Sequence, residues 1–416
     1  MAMALVLTTG SFAAADEALR LTLDDAVTLF RRQSPELLAG ALAVTAAAGD
    51  VKTARLLPNP VVSAGVGNLP IGRTNPRGLG VGETITGAVG VQQEIPLWGK
   101  RSARIEAAEE RHDAAEATRA DLDRQLAFEV RSRFVALLEA SERLRLAQEN
   151  LDRYRETERV SDTRAREGDL SPADVDKIRL EQRAFDREVD AAAVDRRDAV
   201  AALLPLIGSP AADVEPIGTL AVPPRPADVE QLVADATARR PDLRAAERTL
   251  AAAESSLRLA RAERWPNPTV GVGYTHSEFG VSGDLANQIG TTLSVPVPIF
   301  DRNQGAIVRA EAEALATRHE VDRLRLQVAQ EVRSAVAHYD IARARVQRFA
   351  GGYLEQAREA RRAAEASYRE GAVSLLEFLE AERTAIGTAR DHLDALREVN
   401  TAAFDVTRAA ALEVSP

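Results

Sequence analysis

The stretch "RWPNPTVGVGY" (Arg264–Tyr274) decides the fold. Ahead of it runs "AAERTLAAAESSLRLARAE", dense in the strongest helix formers. Pro-Asn-Pro then breaks the helical pattern. In "TVGVGY", Val270, Val272 and Tyr274 alternate with Gly271 and Gly273, the period of a strand. The same event occurs once earlier, at "RLLPNPVVSAGVG" (Arg55–Gly67). A helical chain therefore stops twice for short strands.

The two stops belong to a duplication. Pro35 pairs with Pro241, Pro58 with Pro266, Pro96 with Pro298 and Gly168 with Gly371, in one order and with offsets between 202 and 208. The halves meet in "LIGSPAADVEPIGTLAVPPRPAD" (Leu206–Asp228), which is Pro-rich, has no period and reads as a linker. The first repeat covers 16–205, with strands about 59–68 and 84–96, a long helix about 100–167 and a return helix about 172–205. The second covers 229–416, with strands about 267–277 and 288–298, a long helix about 303–370 and a return helix about 374–411. Each repeat opens on a helix of about thirty residues, the first capped by Thr22 or Asp24. The long helices keep an apolar stripe in steps of three, four or seven: Leu126, Val130, Phe134 and Leu137 in one, Val328, Val332, Val336, Tyr339, Val346, Phe349 and Tyr353 in the other. At 1.5 Å per residue each would run on the order of 100 Å, with coiled-coil-like packing.

Composition agrees with long helices rather than one thick core. Of 416 residues 45% are hydrophobic, but aromatics are only 4% and much of the apolar share is alanine. The net charge of −10, without a basic block, argues against a nucleic-acid partner. No cysteine is present, which excludes thiolate metal sites, Cys nucleophiles and a lipid-modified Cys. No unbroken apolar run approaches the ~18 residues of a membrane helix. The N-terminus has a short apolar stretch with Ala13 and Ala15 placed for cleavage before Asp16, so 1–15 reads as an export signal lacking its basic start; a ragged N-terminus is the alternative. The five histidines are dispersed, and no nucleophile elbow or phosphate loop appears, so neither enzyme nor cofactor is expected. The glycine-rich "GLGVGET" (Gly78–Thr84) reads as a loop.

One face of each strand is apolar and the other small or polar. That fits a half-buried soluble sheet, or a membrane barrel with lipid outside and water inside. Four strands cannot close a barrel that needs about eight. If they are membrane strands, several chains share one barrel, and three would supply twelve.

The ordered set of "LLPNP" and "WPNP" before the strands, "IPLWGKRSAR" and "SVPVPIFDRNQG" after them, and a Gly-x-x-Ser turn in each half resembles the TolC family of outer-membrane efflux channels, leaning towards the heavy-metal, CzcC/CusC-type branch. The resemblance covers about 21–411. It implies an α+β fold, predominantly α, in which a homotrimer builds a 12-stranded β-barrel in outer-membrane lipid and a 12-helix α-barrel in the periplasm. It further implies coupling to an inner-membrane RND pump through a periplasmic adaptor. On this resemblance Gly168, Asp169, Leu170, Ser171, Gly371, Ala372, Val373 and Ser374 would meet the adaptor. Asp174 and Tyr368 match a periplasmic gate link, although an Arg expected two residues after Gly371 is Val373. Glu377 and Glu380 match an acidic pore ring. The bland readings are that the glycines and serines are good turns and that the glutamates are a solvated helix face. Multidrug or type I secretion duty is the alternative to metal efflux, and a non-membrane coiled-coil spacer is a more distant one.

Overall fold

A computed structural model describes residues 18–74, 77–168, 170–226, 228–278 and 286–412. The expected export signal at 1–15, the turn residue Asp169 and most of the second inter-strand loop lie outside the described residues. The chain forms two compact units, each assembled from both repeats.

The first unit takes the described residues of Met1–Ala41, Arg119–Pro241 and Arg325–Pro416. Strand β1 (Leu19–Leu21) leads into helices α1 (Leu23–Gln33) and α2 (Pro35–Arg55). Thr22 caps α1: its hydroxyl accepts from the Asp25 N–H at 3.2 Å while the Asp25 carboxylate accepts from the Thr22 N–H at 3.0 Å. The helix of about thirty residues read from the sequence is thus two, broken at Ser34. Pro35 supplies no N–H and forces its predecessor out of helical geometry, with Ser34 at ψ 121°. The second repeat breaks the same way between α6 (Val229–Arg239) and α7 (Pro241–Glu263).

The long helix α4 (Lys100–Glu167) turns into α5 (Pro172–Ile207). Phe30, Val130, Phe134, Leu137, Leu203 and Ile207 are buried together. In the stretch read as a linker, β4 (Val214–Pro216) pairs in parallel with β1 and buries Val214 in this core. Three-residue strands are too short for any period to register, which is why the linker reading missed them.

The second long helix is not continuous. It comprises α8 (Gln304–Arg348), a π turn over Phe349–Tyr353 and α9 (Leu354–Arg369), followed by α10 (Leu375–Ala409). Within the turn Gly352 has φ 116°, which only glycine adopts readily. The stripe is buried as far as Val346, but Tyr353 at the end of the break is 57% exposed.

The second unit takes Leu42–Thr118 and Asp242–Leu324. Its centre is a four-stranded antiparallel sheet ordered β2 (Val61–Gly67), β3 (Thr86–Glu94), β5 (Thr269–Ser277), β6 (Asn287–Ser294). Adjacent β3 and β5 come from different repeats, with Val91 opposite Val272. The "GLGVGET" stretch contains one helical turn, α3 (Val81–Thr84), because the Glu83 carboxylate accepts from the Gly80 N–H at 2.8 Å. Helix α2 is long and apolar enough to cross a membrane by length and composition. Its apolarity is mainly alanine's, and its C-terminal Arg55 is ion-paired to Glu109 of α4 at 2.6 Å.

Candidate functional site

Two places carry functional geometry, one in each unit. In the sheet, directly opposed residues share a face. Val62, Ala64 and Val66 stand with Val89 and Val91, then with Val270, Val272 and Tyr274, then with Ile289, Thr291 and Leu293. Of these the large hydrophobics are exposed, and both outer strands, β2 and β6, are exposed along their whole length. The other face is small or polar, and at Gly271 in the middle of the sheet it is also crowded, whereas Gly65, Gly67 and Gly290 have open space. A Cβ on Gly271 would stand 2.6 Å from Thr292 Oγ1 and 3.0 Å from Gln92 Cγ. An apolar face that nothing covers, backed by a small polar one and bounded by two open edges, suits lipid on one side and water on the other.

Where the strands meet the helices, the two proline-marked motifs lock together. Lys100, only 5% exposed, donates from Nζ to the Trp265 carbonyl and to Asn267 Oδ1, the latter at 2.8 Å. Asn267 also accepts from the Leu97 N–H at 3.2 Å and donates from Nδ2 to Glu94 at 2.6 Å. The Trp98 indole N–H donates to the Pro266 carbonyl, and its ring lies 5.8 Å from that of Trp265. "LWGK" of one repeat thus clasps "WPNP" of the other, and a buried ammonium finds two oxygen partners in place of water. The two motifs stood out in the sequence separately; nothing in it paired them.

In the first unit, the turns between α4 and α5 and between α9 and α10 carry the residues expected to meet a partner. Gly168 and Gly371 have φ 88° and 75°, the left-handed helix ends that the turns need. Ser171 caps α5, with Pro172 in the first turn, and Ser374 caps α10. Beneath them, Tyr368, Phe378, Leu375, Leu379, Tyr154 and Ile178 form a small core. Tyr368 stacks on Phe378 at 5.1 Å, lies 3.2 Å by its hydroxyl from Ser161 Oγ, and holds the Arg164 guanidinium over its ring. Asp174 accepts from Ser171 Oγ at 2.8 Å and pairs with Lys177 at 3.3 Å. Tyr368 and Asp174 therefore line one cavity of about 380 Å³, together with Arg164, Leu170 and Val373, but each is bonded elsewhere.

Glu377 closes a capping box, accepting from the Ser374 N–H at 2.9 Å while its own N–H donates to Ser374 Oγ. The Ser374 N–H, with the Ser374 hydroxyl at 3.0 Å, holds its carboxyl below the usual carboxylate range. Glu380, one turn on, is exposed. Ion pairs at heptad spacing fasten α10: Arg383 to Glu181 at 2.7 Å, Arg390 to Glu188, and Arg397 to the buried Glu139 at 3.1 Å. Burial pushes the Glu139 carboxyl up, opposed by Arg143 and Arg397.

Among the described residues, one group has metal-ligand chemistry: His112, Asp113 and Glu116 on α4. The imidazole divides its nitrogens, Nδ1 at 3.6 Å from Asp113 and Nε2 at 4.0 Å from Glu116, and Arg248 lies 3.5 Å from Asp113. A split imidazole beside a guanidinium is a charge network rather than a coordination shell.

A duplicated strand-and-helix chain with an exposed apolar sheet face and capped helix turns fits one share of a membrane conduit. The chain belongs to the outer membrane efflux protein family, whose model matches residues 27–209 and 232–411. It is 29% identical over 390 residues to the cobalt-zinc-cadmium resistance protein CzcC of Cupriavidus metallidurans, covering 93% of this chain and 89% of the relative. It is 26% identical to the pyoverdine export outer membrane protein OpmQ of Pseudomonas aeruginosa, over 73% of this chain and 64% of that protein. Among solved structures, a membrane protein of Pseudomonas aeruginosa superposes with TM-score 0.79 at 21% identity, over 93% and 92% of the two chains. The protein is an outer-membrane transport channel of TolC-like fold, and not an enzyme.

Proposed function

We propose that three copies of this chain close one twelve-stranded barrel in the outer membrane and one twelve-helix tunnel in the periplasm. The assembly is a passive exit duct for an inner-membrane RND pump, reached through a periplasmic adaptor, and its cargo is heavy-metal cations. The observation that carries this is the four-stranded sheet with an exposed apolar face and two open edges, which a single chain cannot close. Similarity to CzcC over nearly the whole chain supports the metal cargo.

On this reading the adaptor meets Gly168, Asp169, Leu170, Ser171, Gly371, Ala372, Val373 and Ser374. Asp174 and Tyr368 belong to the gate, with Arg164 holding Tyr368 in place of the missing arginine at Val373. Glu377 and Glu380 form the acidic ring. Similarity to OpmQ favours a second reading, export of an organic compound.

The test is fractionation followed by deletion of the gene. The protein should leave the membrane only with detergent and run as a trimer, and the deletion strain should lose tolerance to zinc, cobalt or cadmium. A monomer soluble in buffer would sink the conduit. Unchanged metal tolerance with new sensitivity to organic compounds would move the cargo to the second reading.

A further inference from the structure

The open sheet edges and the internal duplication together specify how one copy meets the next. Within the chain, the end of β3 and the lead-in to β5 are clasped by Lys100 and Asn267, with Trp98 against Trp265. In the duplicated sequence the end of β6 corresponds to the end of β3: Pro298 to Pro96, Phe300 to Trp98 and Arg302 to Lys100. The lead-in to β2 corresponds to the lead-in to β5: Leu57 to Trp265, Pro58 to Pro266 and Asn59 to Asn267. These second members lie at opposite edges of the sheet, three strand spacings apart, or about 14 Å. They cannot clasp within one chain. Phe300 is left 90% exposed, against 58% for Trp98, whose ring lies 5.8 Å from that of Trp265.

We propose that β6 of one copy pairs with β2 of the next in the register of β3 with β5, and that Arg302 of one copy clasps Asn59 and the Leu57 carbonyl of its neighbour. Phe300 then lies over that Leu57. The proposal rests on the trimeric reading and adds its register and its clasp. Transferring the β3–β5 register sets Leu293 opposite Ala64 and Thr291 opposite Val66. A check comes from the registers already present. Through β5, Leu293 and Thr291 share the face of Val270 and Val272; through β3, Ala64 and Val66 share the face of Val89. Those two faces are one, so the transferred register continues the apolar surface around the junction. A slip by one residue would turn it inward. Pro296 stands where Glu94 stands in the first repeat, so the clasp between copies works without that carboxylate.

The chain has no cysteine, so pairs can be introduced cleanly. Thr291→Cys with Val66→Cys, oxidised in membranes, should give a covalent trimer on a non-reducing gel. Opposed residues lie within disulfide reach, and diagonal ones at about 7–8 Å do not. Thr291→Cys with Ala64→Cys, a slip of two on the same face, should give at least several-fold less. For the clasp, Arg302→Met and Asn59→Ala should each lower the temperature at which the detergent-purified trimer dissociates. The double variant should fall no lower than the worse single one, and Arg302→Lys should retain the trimer. A parent protein that is trimeric while the slipped pair cross-links preferentially overturns the register and leaves the duct standing. Additive losses overturn the clasp. A monomeric parent overturns both this proposal and the trimer.

Discussion

Ser374 and Glu377 hold each other across the first turn of α10, and the same pattern recurs at Ser171 and Asp174 on α5. Removing the cap hydroxyl with Ser374→Ala should cost about 1 kcal/mol, read as a lower melting temperature. The Glu377 carboxyl is held below its usual range by Ser374, so its contribution is present above that range and is lost as pH falls through the folded pKa. Melting temperature should therefore fall more steeply on acidification in the parent than in Glu377→Gln. Glu382 has the opposite sign. Burial raises its carboxyl, and Arg361 at 3.7 Å only partly offsets that. Its cost is absent at low pH, appears as pH rises through the ordinary carboxylate range, and is complete above the raised value. Glu382→Gln should match or exceed the parent's melting temperature at neutral pH and lose that margin in acid, since Arg361 keeps Glu365 at 3.3 Å. The caps were legible in the sequence because cap chemistry spans three residues. The hold of Arg164 on Tyr368 spans 204 positions and that of Lys100 on Asn267 spans 167, and no local pattern encodes such partners.

At the scale of elements, strands and long helices were legible because a period repeats over many residues, and duplication doubled each signal. Their interruptions were not. The turn at Phe349–Tyr353 keeps helical composition except for Gly351 and Gly352, and two glycines near the middle of a helix read equally as a tolerated cost. The first repeat has no such break: α4 runs unbroken through 68 residues. The break packs Phe349 against His392 of α10, with ring centroids 5.4 Å apart. Gly352→Ala places a Cβ at a φ of 116° and should destabilise the protein by about 1 kcal/mol or more. Gly351→Ala, at a position without positive φ, should be neutral or stabilising. Equal melting temperatures for the two variants would mean that the break relaxes into ordinary helix without cost.

At the scale of the whole molecule, an acidic ring exists only if copies assemble. In one chain Glu377 already has a full explanation as a capping partner, whereas Glu380 is exposed and its side chain caps nothing. Three copies would bring six such carboxylates around one axis, attracting cations and repelling one another. Glu380 is therefore the sharper probe, because its replacement leaves the cap intact. In planar bilayers, Glu380→Gln should reduce cation selectivity and weaken block by multivalent cations, with the melting temperature unchanged. Glu377→Gln should change the currents in the same direction but also lower stability, since a neutral amide oxygen accepts the Ser374 N–H more weakly than the carboxylate does. If Glu380→Gln leaves currents and block unaltered, these glutamates do not line the pore. Their spacing on α10 is then explained by the cap and by a solvated helix face alone.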